Sequence, residues 1–220
     1  MDTSQRSRSP RASWKNWRVI LLFFVALGIF CGAGWIFLNK GLYLLPGKMC
    51  EGTLKRDTVQ RVLPRAQSAE SGSDAQGAGA DLDFWCHVST SNDSSLSGEA
   101  RVQPTSRGDW LEYYRESGGQ TQIIRVSVGD IEALAQVNSS AATSSVYVPC
   151  TPPGVPGYNA SRPYAVVGEA RLQGPAKVKG VPLRQVLSDF AYQLAQHAYA
   201  LAECKAPRNF PKELPRYESR

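Results

Sequence analysis

The chain reads as an α+β protein: an antiparallel-sheet domain with a short early helix and a long C-terminal helix, carried behind one amino-terminal membrane helix. Three observations point there. Residues 19–38 form an uncharged apolar run, several later segments alternate with period two, and residues 182–204 repeat apolar side chains at spacings of three and four. Four cysteines distributed through the part after the apolar run add two expected disulfides.

The apolar run lies between Arg18 and Asn39-Lys40. A stretch of about 20 apolar residues matches the hydrocarbon thickness of a bilayer. Five cations precede it (Arg6, Arg8, Arg11, Lys15 and Arg18) against the single anion Asp2. This asymmetry keeps the amino terminus cytoplasmic and places everything after Lys40 outside the cell membrane. A cleaved signal peptide would have a shorter apolar region, about 7–15 residues, ending in small side chains. Cys31-Gly32-Ala33-Gly34 supplies small residues, but Trp35-Ile36-Phe37-Leu38 continues past them. Lipidation of Cys31 fits poorly, because Ile29 and Phe30 stand where a lipobox has small residues.

The expected organisation is a basic cytoplasmic tail (1–18), a transmembrane helix (19–38) and a membrane-proximal linker (39–49). An extracytoplasmic domain (50–206) and a Pro-rich charged tail (207–220) follow. The lipid bilayer is the expected partner of residues 19–38, and Gly28 and Gly32 are spaced to pack against a second membrane helix. Formal net charge is +6, and residues 1–18 carry +4 of it. The outside part is left near +2, with no basic stripe of stacking aromatics, so nucleic acid is not an expected partner.

The elements follow in order. Residues 54–63 read as a short helix stopped by Pro64. Residues 66–81 hold only small and polar side chains apart from their flanks, which predicts a mobile loop. Strands are expected over 84–90, 96–103, 122–128, 133–137, 145–150 and 164–172. Residues 109–116, rich in aromatics, are ambiguous between helix and strand. The clearest helix spans 182–204: Leu183, Val186, Leu187, Phe190, Leu194, His197, Leu201 and Cys204 form its seam. Pro182 suits a first turn, and Pro207 lies beyond the end. The string Ser97-Gly-Glu-Ala-Arg-Val-Gln-Pro104 is echoed by Val167-Gly-Glu-Ala-Arg-Leu-Gln-Gly174. Either two duplicated hairpins or two strands with a similar polar face explain the echo.

Cys31 lies inside the apolar run, which leaves Cys50, Cys86, Cys150 and Cys204 to form two disulfides in an oxidising compartment. Of three connectivities, Cys50–Cys86 with Cys150–Cys204 is favoured: it ties the early helix to the first strand and the Pro-rich loop to the last helix. A zinc site is disfavoured, since no Cys-x-x-Cys or His pair at ligand spacing exists. His87 should face solvent, opposite Cys86, and His197 should be a packed, hydrogen-bonded core residue. There is no Gly-x-Ser-x-Gly motif and no phosphate-cradling glycine loop. Glu99 and Glu169 could pose as paired carboxylates, but the solvent faces of two strands explain them better. No catalytic, cofactor-binding or metal-binding residue is therefore nominated, and the reading leans against an enzyme. Three Asn-x-Ser sequons begin at Asn92, Asn138 and Asn159.

The string Leu45-Pro-Gly-Lys-Met-Cys50-Glu-Gly, followed by a helix ending Val62-Leu63-Pro64, resembles uncharacterised membrane-anchored cell-envelope proteins of Streptomyces-type actinobacteria. Phe84-Trp-Cys86-His-Val-Ser, Val148-Pro-Cys150-Thr-Pro-Pro-Gly154 and the Ala-rich helix ending in Cys204 are also similar. The resemblance implies a bacterial cell-envelope setting, carries no known activity and makes the sequons incidental. The expected function is a single-pass, membrane-anchored extracytoplasmic binding or accessory module. The alternatives are a cell-wall hydrolase with an unrecognised site, or a receptor signalling through residues 1–18.

Overall fold

A computed structural model describes residues 14–38, 41–117, 122–137, 142–155, 161–205 and 208–218. Residues 1–13, with most of the expected basic tail, and the sequon asparagines Asn138 and Asn159 lie outside the described residues. Two units separate, one holding α1 (Trp14–Leu38) and the other everything from Gly41.

In α1 the described side chains are Trp17, residues 20–32 and Gly34, and all are exposed. Phe23, Phe24, Ile29 and Phe30 are each at least 64 % exposed. Among the described residues no helix is long and apolar enough to cross a membrane.

The second unit opens with α2 (Gly41–Leu44), then β1 (Lys48–Met49), a tight turn at Cys50–Gly52, β2 (Leu54–Lys55) and α3 (Arg56–Val62). A seven-stranded sheet follows. Its strands are β3 (Ala69–Gln76), β4 (Asp83–Thr90), β5 (Ser95–Gln103), β6 (Gln122–Val128), β7 (Ile131–Val137), β8 (Ala142–Cys150) and β9 (Tyr164–Gln173). They lie in the order β3-β4-β5-β9-β8-β7-β6, and every ladder is antiparallel. Helix α4 (Arg107–Ser117) follows β5, and α5 (Gly180–Leu201) follows β9.

Alternation along the strands sorts the sheet into two faces. Phe84, Ala100, Val146, Val148 and Val166 pack under α5, together with Leu187, Phe190 and Leu194. Leu134, Tyr147, Ala165 and Val167 point the other way and meet Trp110 and Tyr114 of α4. The sheet is thus sandwiched between two helices.

The expected loop over 66–81 is corrected: Ala69–Gln76 is a strand, paired along its whole length with β4. It is an edge strand with nearly every side chain at the surface, so it has no buried face to impose alternation. The ambiguous 109–116 segment is helical, and α5 begins at Gly180, whose φ of 65° marks the turn into the helix. Leu201, placed on the buried seam from its spacing, is 38 % exposed. Ala198, Tyr199 and Ala202 carry the packing at that end instead.

The repeated Gly-Glu-Ala-Arg strings lie side by side. Glu99 faces Glu169, Gly98 faces Ala170 and Ala100 faces Gly168, which describes a local two-fold axis at the centre of the sheet. Both glycines sit beneath α5. A Cβ on Gly98 would come 2.2 Å from Leu194 Cδ1, and one on Gly168 would come 2.4 Å from the Ala191 carbonyl oxygen. Close approach of the helix to two neighbouring strands therefore explains the echo. The likeness ends with the strands, because α4 and α5 lie on opposite faces. Cys86 faces Gly98 across β4, while Val146 faces Gly168 across β8. We predict that Gly168→Ala destabilises the domain by about 1–3 kcal/mol, the usual cost of overpacking. A denaturant titration matching the parent would show that α5 rides higher on the sheet.

Two disulfides close the fold. Cys50 is joined to Cys86 and Cys150 to Cys204, with Cα separations of 5.6 Å and 5.4 Å. Cys31 is free. The described tail residues 208–218 form neither helix nor strand, and Leu214 and Tyr217 are buried in the domain. The Tyr217 hydroxyl hydrogen-bonds Ser188 Oγ at 2.7 Å, and its backbone N–H donates to Gln185 Oε1 at 3.0 Å.

Candidate functional site

Two polar assemblies stand out, one on the α4 face of the sheet and one at its β6 edge.

On the α4 face the two-fold places Glu99 directly opposite Glu169, a spacing at which side chains interact. Both carboxylates are already engaged. Glu99 accepts from Arg101, and Glu169 accepts from the Tyr114 hydroxyl and lies 3.9 Å from Arg171. Asp83 lies 3.3 Å from Arg101. Burial, reinforced by the Glu99 charge, pushes the Asp83 carboxyl above the usual carboxylate range. Burial, and then Glu169, pushes the Tyr114 phenol far up, so it stays a neutral donor. The arrangement can hold two strands together across like charges. As a pair for glycosidic chemistry it lacks a free acid and a free nucleophile.

The two histidines are not brought together. His87 is exposed on β4 and its ring lies over Gly72. His197 is half-buried on the α5 side, where Nε2 is 3.0 Å from Glu51 Oε2 and the ring meets Phe84 edge-on at 4.7 Å. Among the described residues no group of His, Cys, Asp and Glu is placed to hold a metal ion.

The β6 edge is different, because it opens into a cleft of about 940 Å³. Its chemistry is dominated by four arginines: Arg107 from α4, Arg125 from β6, Arg184 from α5 and Arg216 from the tail. Glu132 of β7 sits at its base, 3 % exposed, and takes hydrogen bonds from both Arg107 and Arg125, the latter at 3.3 Å. One carboxylate therefore serves two guanidiniums. On the other side Arg184 Nε is buried without a hydrogen-bond partner among the described residues, and Glu218 lines the same wall. Arg216 is balanced, at 3.2 Å from Asp189 and 2.8 Å from Glu213. The tail forms this wall because Tyr217 is fixed to α5; burial pushes its phenol up to about 12.

A second arginine, Arg208, anchors the same tail to the β6–β7 turn through a paired contact with Asp130. That hydrogen-bonded guanidinium holds the Asp130 carboxyl below its ordinary range. A depressed carboxylate pKa stabilises the fold above the unfolded value of about 3.9, and the contribution disappears as pH falls through the folded value.

The cleft was not legible as a site. Its arginines stand at positions 107, 125, 184 and 216, with no local motif joining them. Only the strand order, which puts β6 last, brings them to one edge. No protein family, curated protein or solved structure matches this chain.

Proposed function

We propose that the chain is a single-pass membrane protein of the cell envelope whose domain, from residue 41 onward, lies outside the cytoplasmic membrane and binds a protein partner at the β6 edge. The observation that carries the binding role is the arginine-lined cleft at the β6 edge, where one buried carboxylate, Glu132, serves two guanidiniums. Anchoring is supported by the uncharged run 19–38 and the cations before it. The exposed apolar side chains of α1 agree with it, and two disulfides suit an oxidising compartment. A Cβ at Gly28 or Gly32 would meet nothing within 4 Å, which leaves room for a partner helix to approach.

Topology is tested with protease on intact spheroplasts. The domain should be degraded while an amino-terminal tag survives, and full protection of the domain would overturn the placement. The binding surface is tested in cells with a photo-crosslinking side chain at Ser127, exposed on β6, against the same group at Ser73 on the opposite edge strand, β3. A discrete adduct should form from Ser127 only. Equal labelling from both positions, or none from either, would remove the cleft as the binding surface.

A further inference from the structure

Resting on that reading, we propose that the ligand of the cleft is an acidic, extended segment of a partner protein, which adds to β6 as an eighth strand of the sheet. Strand β6 is the last in the order, so among the described residues one side of its backbone has no ladder. It joins β7 through the two-residue turn Gly129-Asp130, with Val128 facing Ile131. In such a hairpin the closing pair is hydrogen-bonded and the pairs alternate from there. The amides and carbonyls of Val128, Val126 and Ile124 therefore turn to β7, and those of Ser127, Arg125 and Ile123 face outward.

Edges of this kind are commonly blunted by proline, bulges or several charges. The sequence Gln-Ile-Ile-Arg-Val-Ser-Val has one charge, no proline and a continuous register with β7. The opposite edge, β3, is Ala-Glu-Ser-Gly-Ser-Asp-Ala-Gln, with two acids and no large apolar side chain. The β6 edge combines a receptive backbone with a cleft.

An added strand presents its side chains alternately to the two faces. One set would meet Arg107 and Arg125 on the α4 side, and the other would meet Arg184 on the α5 side. Sharing of Glu132 between Arg107 and Arg125 leaves positive charge on the α4 side. Asp or Glu at alternate positions, all turned to the α4 side, matches that charge with short, charge-assisted hydrogen bonds, while the strand's backbone supplies the rest of the affinity. A second copy of this chain is the poorer occupant: β6 against β6 sets the arginines of one copy against those of the other, and like charges across strands are unfavourable.

The test uses the full-length chain in mild detergent and a labelled capped peptide of alternating Glu and Thr, about eight residues long. Three comparisons decide it: a Lys–Thr peptide, the Glu–Thr peptide with alternate amides N-methylated, and the Arg125→Glu chain. Fluorescence anisotropy should show binding of the Glu–Thr peptide alone, weakened about tenfold or more by Arg125→Glu and further by salt. Hydrogen exchange on the unmodified protein should show the amides of Ile123, Arg125 and Ser127 becoming protected when the peptide binds. Equal binding of the N-methylated peptide, or no protection at those three amides, overturns strand addition. Protection there without peptide, in a dimer, assigns the edge to a second copy and also overturns it. If the peptide fails while Ser127 still crosslinks, the acidic-strand proposal falls and the binding-module reading stands. If both fail, both fall.

Discussion

Truncating Phe190 to alanine in a fragment of residues 41–220 should lower its unfolding free energy by about 3–5 kcal/mol. Phe190 is 2 % exposed at the middle of α5. Its ring sits above Gly98, since a Cβ there would come 2.9 Å from Phe190 Cε1. Gly98 beneath the ring has no side chain of its own to fill the space the ring would leave. The same geometry predicts a coupling. Gly98→Ala should be costly in the parent, where the new methyl meets Leu194 Cδ1 and the ring, and less costly in the Phe190→Ala background, where Leu194 can shift into the vacated space. Strict additivity of the two, within about 0.5 kcal/mol, would show that the ring does not cover Gly98. Chemical denaturation of the four proteins measures both effects.

Replacing Cys150 and Cys204 together by serine should remove about 4 kcal/mol, from the chain-entropy cost of a loop this long. The bridge spans 54 residues and fastens the end of β8 to the chain just past α5. A backbone bond from the Lys205 N–H to the Thr151 carbonyl at 2.9 Å spans the same junction, so the native geometry is kept while the unfolded chain gains freedom. The Cys50–Cys86 bridge spans 36 residues, and its removal should cost about 0.4 kcal/mol less in the same entropy estimate. Unfolding midpoints that do not move on either substitution would mean that the thiols are unpaired in the purified protein.

How much was legible in the sequence follows from what each residue packs against. Strands β4 and β5 have one face under α5, so their alternation is strong, and their limits and those of β9 fall within a residue or so of expectation. Strand β3 has no buried face. Its order comes from the β4 ladder, a partner that a local pattern does not contain. Helix α5 was legible until Leu201, where small Ala198 and Ala202 shift the seam. At the candidate site, Arg107 and Arg125 looked like ordinary surface cations. Their shared partner Glu132 is buried by tertiary structure alone, and Arg184 and Arg216 arrive from more than 50 residues away.

The strand order also sets the tempo of folding. Five of the six ladders in the large sheet join consecutive strands, which zip from local contacts. Only β5–β9 joins distant ones, with β5 ending at Gln103 and β9 starting at Tyr164. Two preformed meanders must therefore wait for one late encounter, and α5 seals that seam only after β9 has arrived. Closing long loops before any contact rewards them is what slows folding. Changes at the seam, at Gly98, Gly168, Glu99 or Glu169, should then retard folding, while changes in the outer hairpins should mainly hasten unfolding. During synthesis the bare flank of β5 stays open until about 60 further residues have emerged. In that interval β5, buried at the centre of the finished sheet, is the flank most exposed to mispairing.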